Sequence, residues 1–153
     1  MPQFDSRIDI AASTTRVWEV LTDFGRYAEW NPLFLSAEGS IANGSRVRLV
    51  LKPPFGKRVA LRGKIFRVEP EQEFALRCGT LVPGLYHCES RFKIDLAEGR
   101  VRLHHHGTYG GGLMAIIAGA QGAKMREGCF AQNLAIKRRA ERQDWKVRPR
   151  ARG

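Results

Sequence analysis

From Leu113 to Gln143 the chain reads LMAIIAGAQGAKMREGCFAQNLAIKRRAERQ, the longest helical pattern in the sequence. It contains no proline, and its apolar side chains recur at helical spacing. The apolar side chains expected to be buried are Leu113, Met114, Ile116, Ile117, Met125, Phe130, Leu134 and Ile136. Gly119, Gly122 and Gly128 interrupt this set, either to let the helix approach a strand closely or to leave room for a ligand beneath it.

Upstream of this helix the pattern is typical of β-strands. Apolar and charged residues alternate in runs that turn residues separate about every ten positions. The predicted strands are Arg7 to Ile10, Val47 to Leu51, Val59 to Ile65, Phe74 to Cys78, Tyr86 to Ile94 and Val101 to Tyr109. This alternation favours an antiparallel sheet with one solvated face, and the C-terminal helix is the element that can cover its apolar face.

Two short helices are predicted between the first strand and the rest of the sheet. Ser13 and Thr14 offer N-caps for an amphipathic segment that contains Val17 and Leu21. A second helical turn is expected from Phe24 to Glu29. It ends at the sequence Trp30-Asn31-Pro32, because a proline disfavours helical geometry in the residue before it.

Length and charge favour one domain with a basic end. The chain has 153 residues and a net charge of +11, and we expect a single domain over residues 1–145 and a basic, disordered tail over 146–153. The segment from Lys137 to Arg152 contains more than half of the charge excess. This segment either forms a solvated helix end or makes transient contact with a polyanion or a membrane surface. No specific recognition of nucleic acid is predicted.

The cysteine count and the N-terminal sequence indicate a cytoplasmic protein. The three cysteines, Cys78, Cys88 and Cys129, are too few and too scattered for a disulfide framework. The N-terminal residues do not have the pattern of a secretory signal, and no apolar run is long enough to span a membrane. The sequence has no phosphate loop, dinucleotide fingerprint, serine-hydrolase elbow or metalloprotease helix, and no cofactor is predicted.

Three motifs carry a resemblance to a known superfamily. They are VWEVLTDF at Val17 to Phe24 with YAEWNP at Tyr27 to Pro32, VEP at Val68 to Pro70, and the spaced set Phe130, Asn133, Lys137 and Glu141 in the last helix. With the order of elements, these motifs resemble the SRPBCC or START-like superfamily, and in particular its polyketide cyclase/dehydrase-type members. The resemblance implies an α+β helix-grip fold. In that fold a curved antiparallel sheet of six or seven strands wraps around a long C-terminal helix, and two short helices follow strand 1.

The helix-grip fold implies a cavity between sheet and helix for a small hydrophobic, lipid- or polyketide-like ligand. Inward strand positions and the first half of the helix would line it. The predicted lining residues are Trp18, Trp30, Asn31, Leu49, Leu61, Cys78, Thr80, Tyr86, Cys88, Ser90, Phe92, Leu103, His105, Tyr109, Met114, Ile117, Gln121 and Met125.

His105 and Tyr109 are the candidate catalytic residues. Alternation directs His105 inward and its neighbours His104 and His106 outward, so the three histidines cannot share one metal ion. His105 could be a core histidine bonded to Tyr109 or Ser90, could fix the polar end of a ligand, or could act with Tyr109 in cyclisation or dehydration of a polyketide-like substrate. A zinc site would need His105 with Cys78 or Cys88, and no metal is predicted.

Two loops could bound the mouth of the cavity. The segment from Lys52 to Lys57 places Phe55 between two lysines, and the segment from Leu81 to Leu85 is largely apolar. Together they could form a gate or touch a membrane that donates the ligand, and each could equally be an ordinary exposed hairpin end. The sequence leaves open whether the protein is a monomer or a homodimer.

Overall fold

A computed structural model describes residues 3–52, 58–82, 84–112 and 120–142, with only the backbone of Ala97 and of residues 120–125. The strands are β1 (Gln3–Ile10), β2 (Phe34–Glu38), β3 (Arg46–Leu51), β4 (Val59–Glu69), β5 (Glu73–Gly79), β6 (His87–Ala97) and β7 (Arg100–Gly110). The helices are α1 (Thr14–Thr22), a 3₁₀ turn (Phe24–Arg26), α2 (Tyr27–Trp30) and α3 (Ala120–Glu141). The predicted tail, 146–153, and most of the loop from Lys52 to Lys57 lie outside the described residues.

All seven strands form one antiparallel sheet. Its order is β1-β7-β6-β5-β4-β3-β2, so the first strand is an edge strand and pairs with the last strand. Together with two short helices after β1 and the long C-terminal helix, this curled sheet confirms the predicted helix-grip fold. The first strand is longer than predicted, because its pairing with β7 begins at Gln3.

The strand that sequence alternation missed is β2. It pairs with β3, but its register shifts between Phe34 and Ser36. A bulge of this kind inserts a residue into one strand and interrupts the two-residue period. The buried residues of β2, Phe34 and Ala37, are therefore three positions apart rather than two. This strand brings the sheet to seven.

One glycine permits two central strands to approach closely. A Cβ at Gly63 in β4 would lie 1.9 Å from the carbonyl oxygen of Arg77 in β5. No side chain fits at that distance, so glycine is required there. The register between the same two strands shifts between Phe66 and Glu69, which is typical of a β-bulge.

The alternation predicted for the strands is present. In β3, Val47, Leu49 and Leu51 are buried while Arg46 and Arg48 are exposed. The same arrangement recurs in β6 and β7, where buried Phe92 and Leu103 alternate with charged neighbours. The sheet therefore has a dry face towards the helices and a charged outer face.

The buried face of α3 differs from the predicted one. Its interior residues are Cys129, Gln132, Asn133, Ile136 and Ala140. Phe130 is 50% exposed and Leu134 is 39% exposed, so the prediction that both are buried was wrong. Ile136 is fully buried, as predicted. The helix is rotated so that two amides face the sheet, which a pattern based on hydrophobicity cannot indicate.

The C-terminal end of α3 is fastened to β1 by charged hydrogen bonds. The Lys137 ammonium donates to the carbonyl oxygen of Asp9 at 2.9 Å and to the Glu141 carboxylate at 2.5 Å. The same carboxylate accepts a hydrogen bond from the backbone N–H of Ala11 at 2.7 Å. Two residues of the resemblance motif, Lys137 and Glu141, thus hold the helix on the sheet.

The short helices begin and end as predicted. The Ser13 hydroxyl accepts a hydrogen bond from the backbone N–H of Arg16 and caps α1. The second helix ends at Asn31, whose backbone is extended before Pro32. Among the helices in the described ranges, none has the length and apolar character needed to cross a bilayer.

Candidate ligand-binding site

A small cavity lies between the sheet and α3. Its volume is about 20 Å³, which is room for about one water molecule. Residues from β1, β2, β3, β6, β7 and α3 meet there, so the cavity occupies the position that the helix-grip fold implies. Its lining residues are Phe4, Leu33, Phe34, Leu51, Tyr86, Cys88, Ser90, His105, Gly107, Thr108, Tyr109, Cys129 and Gln132.

His105 is held firmly in the wall of this cavity. Its side chain is buried, its ring stacks on Phe92 with centroids 4.2 Å apart, and the edge of Phe4 packs against it at 5.1 Å. Its Nδ1 donates a hydrogen bond to Oδ1 of Asn133 at 2.9 Å. Asn133 in turn donates to the Ser6 hydroxyl at 2.5 Å. A chain of hydrogen bonds from β1 through α3 therefore fixes the imidazole ring.

Burial lowers the pKa of His105 from 6.5 to about 4, although the hydrogen bond that its ring donates to Asn133 opposes the shift. The ring is consequently neutral at neutral pH. Because the proton is on Nδ1, the lone pair of Nε2 is a hydrogen-bond acceptor. That atom is buried, and it has no hydrogen-bond partner among the residues that the structure describes.

Two further polar atoms of the cavity wall are buried without a hydrogen-bond partner in the described part of the chain. They are the Tyr109 hydroxyl and Oε1 of Gln132. A buried polar group without a hydrogen bond costs about 1–3 kcal/mol, so such groups are rare in folded proteins. Three such atoms therefore surround one cavity, and the described residues supply no hydrogen-bond partner for any of them.

The structure brings some of the predicted lining residues together and places others elsewhere. Those that line the cavity are Tyr86, Cys88, Ser90, His105 and Tyr109. Those packed in the core beside it are Leu49, Leu61, Cys78, Phe92 and Leu103. Met114 and Ile117 lie outside the described residues, and the side chains of Gln121 and Met125 are not described.

Two other predicted lining residues, Asn31 and Thr80, form hydrogen bonds with backbone segments next to the cavity. Asn31 accepts hydrogen bonds at its Oδ1 from the backbone N–H groups of Leu33 and Phe34, both of which line the cavity. The Thr80 hydroxyl bonds to the backbone of the β5–β6 loop instead of reaching the cavity.

The two predicted lining tryptophans, Trp18 and Trp30, lie beside the core and do not line the cavity. Trp18 packs edge-on against Phe74, with ring centroids 5.7 Å apart. Trp30 packs against Tyr27 at 5.1 Å. Both indoles are partly buried beside the core, and they support the two short helices rather than the cavity wall.

Sequence reasoning missed the residues that α3 contributes. Gln132 and Asn133 are each 2% exposed, and they were not among the predicted lining residues. Asn133 was noticed only as part of the family-like motif. The signal that could have found the pair is the position of polar residues in phase with Cys129, Ile136 and Ala140 on one helical face.

The cysteines near the cavity are free thiols. Cys78 and Cys88 lie directly opposite each other on β5 and β6. Their shared hydrogen bond and their burial hold the pKa of Cys78 well above its usual value, and burial raises the pKa of Cys129 to about 12. Among the described side chains, no three histidine, cysteine, aspartate or glutamate residues are arranged to hold a metal ion.

A family model named polyketide cyclase / dehydrase and lipid transport matches residues 1–139 of this chain. The chain belongs to this family. The match covers the whole sheet and nearly all of α3, and it confirms the resemblance found in the sequence motifs. A search of curated proteins finds no match.

Solved structures of the polyketide cyclase and START type share the fold. A START superfamily protein from Mycobacterium smegmatis has a TM-score of 0.71 and 16% identity, with 91% of this chain and 97% of that chain covered. The di-domain ARO/CYC StfQ from the steffimycin biosynthetic pathway has a TM-score of 0.66 and 14% identity, with 92% and 49% covered.

DynU16, a protein in the dynemicin biosynthetic locus, is similar as well, with a TM-score of 0.67 and 18% identity. That alignment covers 90% of this chain and 46% of DynU16. The chain thus spans about half the length of DynU16 and of StfQ. At these identities the similarity establishes the fold of the family and leaves the ligand to be argued from the cavity.

Proposed function

We propose that this protein binds a small, largely hydrophobic molecule that carries a hydroxyl group, in the cavity between the sheet and α3. The observation that carries the proposal is that three buried polar atoms with no partner among the described residues meet at one cavity: Nε2 of His105, the Tyr109 hydroxyl and Oε1 of Gln132. The rest of the lining is mainly apolar, which suits a lipid- or polyketide-like skeleton.

The chemistry of these atoms supports a hydroxyl as the polar group. Nε2 of His105 and Oε1 of Gln132 can only accept a hydrogen bond, whereas the Tyr109 hydroxyl can also donate one. A ligand that offers only carbonyl oxygens would leave both acceptors unsatisfied. A ligand hydroxyl can donate to one of the acceptors while it accepts from Tyr109.

The size of the cavity sets a further requirement. At about 20 Å³ it is far smaller than the several hundred Å³ of a typical small-molecule site. Binding therefore has to widen the gap between α3 and the sheet. The half-exposed Phe130, which packs on Phe4 with ring centroids 4.8 Å apart, is the side chain of α3 that would move with this wall.

Binding of 2-naphthol and naphthalene to the full chain tests the proposal, because the two probes differ by one hydroxyl. We expect 2-naphthol to bind about fivefold more tightly, since one net hydrogen bond contributes about 1 kcal/mol. Gln132→Leu should reduce that difference, and Arg138→Ala, at an exposed position of the same helix, should preserve it. Equal affinity for the two probes would refute recognition of a hydroxyl.

Gly107→Ala provides a second test that does not depend on polar contacts. A Cβ there would have its nearest atoms at 3.6–3.9 Å, so the variant should fold normally while part of the cavity is filled. Both probes should bind it more weakly than the unmodified chain. Failure of both probes to bind either protein would mean that the space is only a packing defect.

Cyclisation or dehydration with His105 and Tyr109 as the proton-handling pair remains a prediction. A general base is most effective when its pKa is near the working pH. The pKa of His105, about 4, is well below that value, so its Nε2 is better suited to accept a hydrogen bond than to abstract a proton. Ligand binding is therefore the function that the geometry supports best.

A further inference from the structure

The outer face of the sheet carries an unusual group of positive charges. Arg46 and Arg48 on β3 lie directly opposite Lys64 and Arg62 on β4. All four side chains are exposed. Like charges in directly opposite positions of an antiparallel pair are destabilising. We call these four residues the β3–β4 basic cluster.

Elsewhere on this face several cations form ion pairs with carboxylates. The ion pairs are Arg77 with Glu89 at 3.2 Å, Arg91 with Glu73 at 2.8 Å and Arg102 with Asp9 at 2.8 Å. Within the ranges that the structure describes, no residue of the β3–β4 basic cluster forms an ion pair. Glu38 on β2 is opposite Arg48 on β3, but the two side chains do not form an ion pair. The cluster is thus a local excess of charge that the fold does not need.

Exposed aliphatic side chains lie next to this cluster. Leu81, in the β5–β6 loop, shares a surface depression of about 300 Å³ with Arg48 and Arg62. Leu81 is 65% exposed and its neighbour Val82 is 61% exposed. The described lining of that depression includes no aromatic side chain. Cations and bare aliphatic groups therefore form one continuous surface.

We propose that this surface docks on an anionic phospholipid bilayer. The β3–β4 basic cluster would contact lipid phosphates and carboxylates, while Leu81 and Val82 would enter the boundary between headgroups and acyl chains. Basic residues near an anionic leaflet and apolar side chains at this depth both contribute to surface binding. Single-stranded nucleic acid would instead favour aromatic side chains on which bases can stack.

The location of the surface connects it with the cavity. The β5–β6 loop continues directly from Leu85 to Tyr86, which lines the cavity. The loop is also held by a hydrogen bond of 2.7 Å from the N–H of Gly112 to the carbonyl oxygen of Gly84. A hydrophobic ligand could thus pass between bilayer and cavity along one short segment. The passage of a ligand rests on the proposed function, whereas docking on the bilayer does not.

Co-sedimentation of the full chain with vesicles tests docking. One preparation contains phosphatidylcholine alone and the other contains phosphatidylcholine with phosphatidylserine. We expect binding only to the second, weakening as salt is added. R48Q/R62Q should weaken it on the order of 30-fold, at about fivefold per cation. The matched control R91Q/R102Q removes two ion-paired cations from the same face and should have a much smaller effect.

Leu81→Ser distinguishes a bilayer from other polyanions. It should weaken binding to the mixed vesicles and leave any binding to a single-stranded oligonucleotide unchanged. Absence of vesicle binding, or an equal loss in R91Q/R102Q and R48Q/R62Q, would overturn the proposal. So would an oligonucleotide affinity that depends on Arg48 and Arg62 while vesicle binding does not. Failure of 2-naphthol to bind would affect only the cavity, since vesicle binding is measured without it.

Discussion

Nδ1 of His105 donates a hydrogen bond to Oδ1 of Asn133, 2.9 Å away, and so joins the centre of β7 to the buried face of α3. Both residues are 2% exposed. The bond fixes the tautomer of the imidazole ring and therefore the acceptor that faces the cavity. One contact between sheet and helix thus serves both the packing of the fold and the chemistry of the candidate site.

Asn133→Leu should destabilise the protein. It removes the acceptor of the His105 Nδ1–H and leaves that group buried and unpaired, which costs about 1–3 kcal/mol of the free energy of unfolding. Urea denaturation measures the change. Arg138→Ala, at an exposed position of the same helix, should change the value by less than about 0.5 kcal/mol. Equal effects of the two substitutions would show that the hydrogen bond contributes nothing.

Acid should destabilise the protein through His105. The pKa of this residue is about 4 in the folded chain, against 6.5 without burial. Between these values the unfolded chain binds more protons than the folded chain. The contribution of the neutral His105 ring to the free energy of unfolding is therefore fully present above pH 6.5, and about 3 kcal/mol is lost as the pH drops towards 4.

Unfolding of His105→Gln and of the exposed control His87→Gln, measured from pH 7 to pH 4, isolates this contribution. The first variant should lose the pH dependence assigned to His105, and the second should retain it. Identical pH profiles for His105→Gln and the unmodified chain would contradict the assignment.

Two tyrosine-to-phenylalanine substitutions should have different effects. The Tyr27 hydroxyl donates to the backbone carbonyl of Leu21, so Tyr27→Phe should lower the free energy of unfolding by about 1 kcal/mol. The Tyr109 hydroxyl is buried and has no hydrogen-bond partner among the described residues. Tyr109→Phe should leave stability unchanged or raise it, and should weaken binding of 2-naphthol. A marked loss of stability in Tyr109→Phe would mean that its hydroxyl has a structural partner.

Glu141→Gln should loosen the end of α3. The hydrogen bond from Lys137, with a second one from the N–H of Ala11, holds the pKa of the Glu141 carboxyl below its usual range. Its stabilisation is therefore present above about pH 4.5 and is lost as the pH falls through the lowered pKa. We expect the variant to cost about 1 kcal/mol at neutral pH. Glu127→Gln is the exposed control, and an equal cost there would argue against the anchor.

Much of the fold follows from local patterns. The period of two in β3 and in β7, the Ser13 cap and the Asn31-Pro32 stop each have a physical cause that acts over a few residues, and each predicted feature is present. The strand β2 was missed because a bulge disrupts its period. The predicted buried face of α3 was partly wrong because it was built from apolar residues alone, and the buried amides of Gln132 and Asn133 give no hydrophobic signal.

The candidate site could be predicted only in part. The inward direction of His105 and Tyr109 follows from strand alternation, which is a local property. The hydrogen-bond partner of His105 does not follow from the sequence. Strand alternation offered Ser90 and Tyr109 in the sheet, whereas the actual partner, Asn133, is 28 residues away on the helix. The outer face gives a similar example. Its charges are visible in the sequence, but only the register between β3 and β4 places Arg48 opposite Arg62.

The sequence by itself determined the helix-grip class, the inward face of the strands and the family to which the chain belongs. These depend on periodicity and on motifs that lie within single elements. The tertiary structure alone decided that Asn133 orients His105, that three polar atoms meet at one cavity and that the cations of β3 and β4 are unpaired. Those facts depend on the rotation of α3 and on strand register, which are set by packing between residues far apart in the chain.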